Sequence, residues 1–298
     1  MGTIIKASAI ATAQHRPFAP GALKLADAAA RLCLERADRD PEDIDLLINA
    51  GVYHDRVVNE PAFASLIQED IGANPDHPPG GGHGTFSFDV SNGACGLLTG
   101  IHLVDGLLAS GTAELGMVVA SDMDPEPGVS RGFGFPSVGG AVLLSKDDSR
   151  AGFTAFQFAT FPEFAELFQS YVDWAQDARR GLHHGRNLVT VEIAESYATH
   201  ALECAESTVR EFARAQALDI DEVDRLIATA SVPGFADALA VRLGVSAERV
   251  AAPADGLAAA HTAAPAAALE SAALAASSTA LFISAGAGIT VAVALYRT

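Results

Sequence analysis

The stretch that most constrains this chain is residues 86–111, FSFDVSNGACGLLTGIHLVDGLLASG. It opens as a short apolar strand over 86–90 and breaks at Ser91, Asn92, Gly93 and Ala94. From Cys95 onward, Leu97, Leu98, Ile101, Val104, Leu107 and Leu108 recur at helical spacing. Cys95 therefore stands where a strand hands over to a helix. A thiol at that point lies in the field of the helix N-terminus, close to backbone N–H groups without helical partners, and both favour the thiolate. Gly93, Ala94 and Gly96 flank it with little bulk, which leaves room for a second molecule to reach the sulfur. The pattern fits a nucleophilic cysteine. It equally fits a buried structural one, since free cysteine is among the most buried side chains.

The 298 residues are 49% hydrophobic, enough for a large core in one or two domains. A formal net charge of −18 argues against nucleic acid as a partner, because phosphate binding needs a basic surface. It also argues against capture of an acidic carrier protein by overall charge, leaving only a local basic patch for that purpose. Cys33, Cys95 and Cys204 are odd in number and widely spaced, so neither a disulfide framework nor a metal site is expected. A reduced, cytoplasmic protein with no cofactor is the expectation. The N-terminus lacks a signal-peptide pattern. The alanine-rich run 263–281 contains Glu270 and breaks at Ser277 and Ser278, so it reads as a core helix rather than a membrane span.

In chain order, strands are predicted over 3–11, 46–52, 115–122, 139–145, 152–160 and 223–232. Helices are predicted over 23–37, from Pro61 in a first turn to Ile71, over a long 189–216, and over 236–243 with Gly244 as C-cap. Cys204 falls on the apolar stripe of the long helix, with Ile193, Tyr197, Ala201 and Val209, and reads as core. Residues 74–84 form a Pro/Gly-rich surface loop, in which His77 and His83 have no second ligand pair for a metal. The polar run 146–150 separates an N-terminal half, 1–148, from a C-terminal half, 149–298. Between them in the second half, 161–188 is aromatic-rich, either a helix packed on the body or the lining of an acyl pocket. Arg179, Arg180 and Arg186, with His183 and His184, form the one dense basic cluster. It suits a carrier protein's acidic helix or a coenzyme A phosphate, and equally a solvated loop.

Asp89-Val-Ser-Asn-Gly-Ala-Cys-Gly-Leu-Leu-Thr-Gly resembles the nucleophile segment of the ketoacyl-ACP synthase III branch of the thiolase superfamily. Phe135-Pro-Ser-Val-Gly-Gly-Ala-Val-Leu-Leu resembles that family's glycine-rich turn and strand. Ser284-Ala-Gly-Ala-Gly-Ile-Thr-Val-Ala-Val-Ala-Leu-Tyr-Arg resembles its C-terminal glycine loop and last strand. The resemblance implies a five-layered α/β fold of two similar halves, a homodimer, and a thioester-dependent acyltransferase or condensing enzyme of fatty acid, polyketide or specialised metabolism. Cys95 would take an acyl group from a carrier-protein or coenzyme A thioester, with backbone N–H groups of Cys95 and Ala287 as the oxyanion hole.

Several positions depart from that pattern. The coenzyme A contact segment shrinks to about ten residues, 14–23, and Pro136, Ser137 and Val138 stand where relatives often have an acid. The family's histidine position falls on Thr229, and its asparagine position on Leu257 or Ala258. His261 or Asp255 would then take over proton transfer, with His261 the expected base or relay. The resemblance thus implies a thioester-forming site poorly equipped for malonyl decarboxylation. Glu60-Pro61-Ala62 resembles a step of the olefin-forming and pyrone-forming ketosynthases, in which the glutamate enters the partner's site as a base on the acyl α carbon. Glu60 also suits a first-turn acid at a helix start. The alternative function is a catalytically inactive thiolase-like subunit that completes a heteromeric synthase.

Overall fold

Strands β2 (Leu46–Asn49) and β4 (Leu115–Asp122) are buried at every position, as mostly apolar runs in the middle of a covered sheet are expected to be. The computed structural model describes residues 2–13, 21–54, 60–74, 84–147, 149, 151–172, 189–251, 253–254 and 256–298. The first half adds β1 (Gly2–Thr12), β3 (Phe86–Asp89) and β5 (Val138–Asp147) to these two. The second half contributes β6 (Gly152–Thr160), β9 (Arg225–Ala230), β10 (Thr279–Gly286) and β11 (Thr290–Arg297). Together they form one sheet, in the order β3-β2-β4-β5-β1-β6-β11-β10-β9.

The order repeats. In the first half β2 pairs parallel with β4, β4 antiparallel with β5, and β5 antiparallel with β1. In the second, β9 pairs parallel with β10, β10 antiparallel with β11, and β11 antiparallel with β6. The halves join through the single pair Thr3 and Phe153 of β1 and β6.

Helices α1 (Ala22–Ala37) and α2 (Phe63–Ile71) cover the outer face of the first half, sharing a core with Leu47, Met117 and Leu143. Helices α4 (Tyr197–Ala215) and α5 (Phe235–Leu243) cover the outer face of the second, over Leu226, Ile283 and Val293. Helices α3 (Gly96–Ser110) and α6 (Ala264–Ala272) lie between the halves, packed on strands of both. The result is helix, sheet, helix, sheet, helix: the expected five layers. Leu97, Leu98, Ile101, Val104 and Leu108 of α3 are all essentially unexposed, each worth about 1.5–3 kcal/mol of burial. The 18-residue run Gly93–Ser110 is apolar enough to be compared with a membrane span, but here that apolarity fills the middle layer.

Three element expectations are corrected. Val189–Ile193 is a strand, β8, rather than the first turns of a long helix; it pairs antiparallel with β7 (Phe168–Val172) in a separate two-stranded sheet. The run Val-Thr-Val-Glu-Ile is rich in β-branched residues, and the helix waits until Tyr197. The aromatic segment accordingly begins as a 3-10 helix, Pro162–Leu167, followed by β7. Its remainder, including Trp174, lies outside the described residues. Pro61 precedes the α2 N-cap, Ala62, instead of sitting in the first turn. The cap comes from elsewhere: the Asp89 carboxylate accepts from the backbone N–H groups of Phe63 and Ala64, each at 2.7 Å. Glu60 is exposed and does not cap the helix.

Lys24 ties α1 to α2, with Nζ 3.0 Å from Asp27 and 2.7 Å from Asp70. Among the described residues, Asp27 Oδ1 is buried without a hydrogen-bond partner. Burial, reinforced by Asp70 and opposed by Lys24, raises the Asp27 carboxyl to about 6. An acid whose folded pKa is raised contributes fully below its unfolded pKa, near 4, and that contribution is lost as pH rises through 6. Asp27→Asn keeps the shape and removes the charge; the ion pair lost with the well-exposed Lys24 amine is worth under about 1 kcal/mol. This variant is expected to be about 1–2 kcal/mol more stable than the parent at pH 7. Urea unfolding between pH 4 and 7 should show a flatter profile for it, and an unchanged profile would place the titration elsewhere.

Candidate active site

Cys95 closes a short 3-10 turn, Gly93–Cys95, at the end of β3 and serves as N-cap of α3, so the strand-to-helix placement holds. Its environment differs from the expected open thiolate. Cys95 is 0% exposed, and Sγ donates to the carbonyl oxygens of Ser284, at 3.3 Å, and Thr290, at 3.4 Å. Burial raises the thiol to about 12. Desolvation in a fully enclosed site outweighs a backbone hydrogen bond from Ala292 that favours the thiolate, and the two carbonyl acceptors suit S–H. Gly96 serves close packing, and Gly93 supplies a left-handed turn, with φ of 48°. A Cβ on Gly96 would lie 2.9 Å from the Ala50 carbonyl oxygen, and one on Gly93 would touch the His261 imidazole at 3.7 Å.

The same Gly93 contact brings His261, from the other half, to the nucleophile turn. His261 is 3% exposed, stacked on Phe135 at 4.7 Å and tilted against Tyr53 at 5.4 Å. Nδ1 lies 2.7 Å from Ser231 Oγ. Burial lowers the imidazole pKa and Asp122 only partly opposes it, so the ring is neutral near pH 7. In the segment assigned to the family's asparagine, Leu257 packs on Val138 and Ala260, and Ala258 is exposed. The buried polar residues of that segment are His261 and Thr262. Thr229, at the family's histidine position, is buried, with Oγ1 3.0 Å from Ser284 Oγ. A cavity of about 80 Å³ reaches Thr229, Phe235 and Ala258; Cys95 does not line it.

Two polar groups that sequence reasoning passed over organise this region. Ser231 orients His261, a role only visible once β9 and the 261 turn are neighbours. Asp122, at the end of β4, accepts from the N–H groups of Val52 and Tyr53 at 3.0 and 2.9 Å, and from Thr262 N–H at 2.8 Å. It also accepts from the Thr262 hydroxyl. One signal was legible: an acid ending a mostly apolar strand needs buried donors.

The glycine loop meets the nucleophile turn, since a Cβ on Gly286 would lie 3.4 Å from Ala94 N and 3.8 Å from Cys95 N. The Cys95 N–H itself donates to the Asn92 carbonyl at 3.0 Å, and Ala287 lies in the turn closed by Thr290 N–H to Ala287 O at 3.1 Å. Glu60 has no described contact with Cys95 of its own chain. Arg179, Arg180 and Arg186, with His77, His83 and Asp255, lie outside the described residues. Among the described residues, no group of three or more His, Cys, Asp or Glu could hold a metal ion.

Alternating helical and sheet layers in two similar halves, with a cysteine at the strand-to-helix turn against a glycine hairpin, define a thiolase-type fold. No family model matches the chain. A β-ketoacyl-(acyl-carrier-protein) synthase III of Sphingopyxis alaskensis is 28% identical over 237 residues, spanning 76% of this chain and 67% of the relative. One from Alkalilimnicola ehrlichii is 33% identical over 98 residues, 33% of this chain and 27% of the relative. The 3-oxoacyl-(acyl-carrier-protein) synthase III of Aquifex aeolicus superposes with a TM-score of 0.78 at 18% identity, covering both chains completely. Xanthomonas campestris OleA, in a structure with bound lauric acid and lauroyl-CoA, superposes at 0.81 and 15% identity, over 100% of this chain and 99% of that one. The chain thus resembles β-ketoacyl synthase III proteins in sequence and has the thiolase-type fold of these solved ketosynthases.

Cys33 and Cys95 are both raised to about 12, chiefly by burial. In the unfolded chain a cysteine ionises near 8.5. Above that pH the unfolded state releases protons the native state retains, so stability falls as pH rises towards 12. Each thiol adds a slope of about 1.4 kcal/mol per pH unit. Cys95→Ala is expected to remove one such increment between pH 9 and 11, whatever its effect at pH 7. Urea unfolding of parent and variant at pH 8, 9.5 and 10.5 reads the difference; parallel profiles would mean that Cys95 titrates like a free thiol.

Proposed function

We propose that this protein is a condensing acyltransferase in which Cys95 carries the acyl group. The observation that supports it is the convergence of Cys95, His261 with its Ser231 partner, and the Gly286 hairpin from distant parts of the chain onto one buried point. In the loading step the Cys95 sulfur attacks the carbonyl carbon of an acyl-carrier-protein or coenzyme A thioester. A new C–S bond forms, the donor's C–S bond breaks, and the Cys95 proton ends on the departing thiol. The oxyanion would be held by backbone N–H groups of Cys95 and Ala287. A neutral His261 whose Nδ1 accepts from Ser231 keeps its proton on Nε2, a donor for an acyl carbonyl or a relay to an acceptor. Thr229 offers a hydroxyl at the position that the resemblance assigns to the family's histidine, which disfavours decarboxylation. The acyl group would then pass to a second acyl thioester, in a Claisen-type condensation without loss of carbon dioxide, or to a hydroxyl or amine.

For the condensation, Glu60 of a second copy is the proposed base. Edge strand β3 carries Phe86, 64% exposed, and its outer edge, unpaired among the described residues, suits pairing with the same strand of another copy. That pairing is the homodimer we infer. Docking of the carrier or coenzyme A falls to the cluster of Arg179, Arg180 and Arg186.

One observation favours a second reading. The enclosed, protonated thiol suits a thiolase-like subunit that completes a partner's site without reacting itself. Intact-mass spectrometry after mixing with a panel of acyl-coenzyme A and acyl-carrier-protein thioesters separates the two. The proposed enzyme gains the acyl mass, and Cys95→Ala does not; no gain across the panel establishes the inactive subunit.

Glu60→Gln is expected to acylate at Cys95 yet give no condensed product. Mixing Glu60→Gln with Cys95→Ala should restore product in mixed dimers, each supplying what the other lacks. Normal turnover by Glu60→Gln alone would remove the glutamate from the mechanism.

A further inference from the structure

Ser231 follows β9 directly, and α5 begins four residues later at Phe235. A serine at the end of a strand, just before a turn into a helix, is placed as many nucleophilic serines are: at the end of the sheet, close to N–H groups that a helix start leaves unpaired. The residues on either side of it, Ala230 and Val232, line the cavity of about 80 Å³, as do Gly234, Phe235, Ala236 and Asp237 at the start of α5. Ser231 keeps 7% of its surface, whereas Cys95 keeps none.

The Ser231 hydroxyl lies 2.7 Å from His261 Nδ1, the reach a base needs to take its proton. The base is itself held in place. Its ring stacks on Phe135 at 4.7 Å and packs on Tyr53 at 5.4 Å. The next residue, Thr262, gives both its N–H and its hydroxyl to Asp122. Burial lowers the imidazole pKa, so near pH 7 the ring is neutral and offers a lone pair. A nucleophile, a base within hydrogen-bond reach and a group that fixes the base are the parts of an activated serine. The Cys95 chemistry uses the ring through Nε2 and leaves the Ser231 hydroxyl unreacted.

We propose that Ser231 is a second nucleophile, with His261 as its general base, and that the pair hydrolyses esters or thioesters of short acyl groups. The Ser231 oxygen attacks the acyl carbonyl carbon while His261 Nδ1 takes its proton. The donor's C–O or C–S bond breaks, and the departing alcohol or thiol leaves with that proton. Water then attacks the Ser231 ester. Its proton passes through Nδ1 to the Ser231 oxygen, and a carboxylic acid is released. The short chain follows from the cavity, which is far below the roughly 300 Å³ at which ordinary ligand pockets begin. This activity goes beyond acyl transfer through Cys95 and does not rest on it.

The test compares Cys95→Ala with Cys95→Ala/Ser231→Ala, so that no thiol at 95 contributes. Each is treated with a fluorophosphonate and mapped by peptide mass spectrometry, then assayed for hydrolysis of p-nitrophenyl acetate and of acetyl-coenzyme A. The phosphonyl group is expected on Ser231, and removal of that hydroxyl is expected to slow hydrolysis about 100-fold or more. His261→Gln in the same background should slow both reactions to a similar degree. Phosphonylation elsewhere, or none on the folded protein, overturns the assignment, as does hydrolysis that survives Ser231→Ala. Should urea unfolding show that Ser231→Ala does not fold, Ser231→Cys in the same background keeps a nucleophile. It should retain an acetyl group after acetyl-coenzyme A, read by intact mass, and no gain overturns the assignment. Acylation of Cys95 in the parent beside an unreactive Ser231 removes this activity and leaves the condensing reading standing; the reverse result does the opposite.

Discussion

The two halves can share one middle helical layer only where backbones approach more closely than side chains normally allow. A Cβ on Gly100 would lie 2.6 Å from Val118 Cγ1, and one on Gly140 only 2.7 Å from the Ala266 methyl. Any larger residue at these points pushes α3 off the first half or α6 off β5, and neither backbone can yield without breaking sheet hydrogen bonds. With α3 so held, its first residues press against β10 and β11 of the other half. That contact, rather than any local feature of residues 86–111, decides what surrounds the Cys95 sulfur. The reactive group of the proposed chemistry therefore sits on the seam between two repeats, with His261 and Ser231 supplied from the second half.

The seam is polar but almost uncharged. Hydroxyls of Thr229, Ser231 and Ser284, a thiol and a neutral imidazole share it, while the −18 net charge is carried elsewhere. The buried carboxylate beside it, Asp122, is tolerable because it accepts from two loop N–H groups after β2 and from both donors of Thr262. Those bonds fasten the loop of the first half to the turn that carries His261. The same residue thus fixes the position of the imidazole and opposes, weakly, the lowering of its pKa by burial.

What the sequence disclosed follows from how local each determinant is. The bounds of β4 and β6, and the strand-to-helix handover at Cys95, depend on runs of neighbouring residues and were legible as such. The closing of the thiol was not, because the carbonyls that hold it lie 189 and 195 residues away. A helix-dipole argument sees the favourable local field and misses the desolvation that an opposing half imposes. The strand at 189–193 was read as helix because its pairing partner, β7, lay hidden in a segment valued for its aromatic content. His261 owes its placement to the turn that Asp122 anchors through Thr262, a bond across 140 residues that no local spacing reveals.

The enclosed thiol sets the energetics of the proposed loading step. Raising the thiol from an ordinary value near 9 to about 12 corresponds to about 4 kcal/mol against ionisation in the closed site. Desolvation is the largest cause, and a bound thioester changes that cause directly: it brings polar atoms to the sulfur and requires the packing around it to open. Thiol ionisation and donor binding are then coupled, each making the other less costly. Hydroxyls suit such a site better than a permanent charge would. The Thr229 and Ser284 hydroxyls satisfy one another while the site is closed, and can turn to a carbonyl when it fills, at a net cost of only about 0.5–1.5 kcal/mol for the bond exchanged. A fixed cation beside Cys95 would keep the sulfur ionised and open to alkylation or oxidation in the absence of substrate. The neutral set leaves it protonated until an acyl donor arrives.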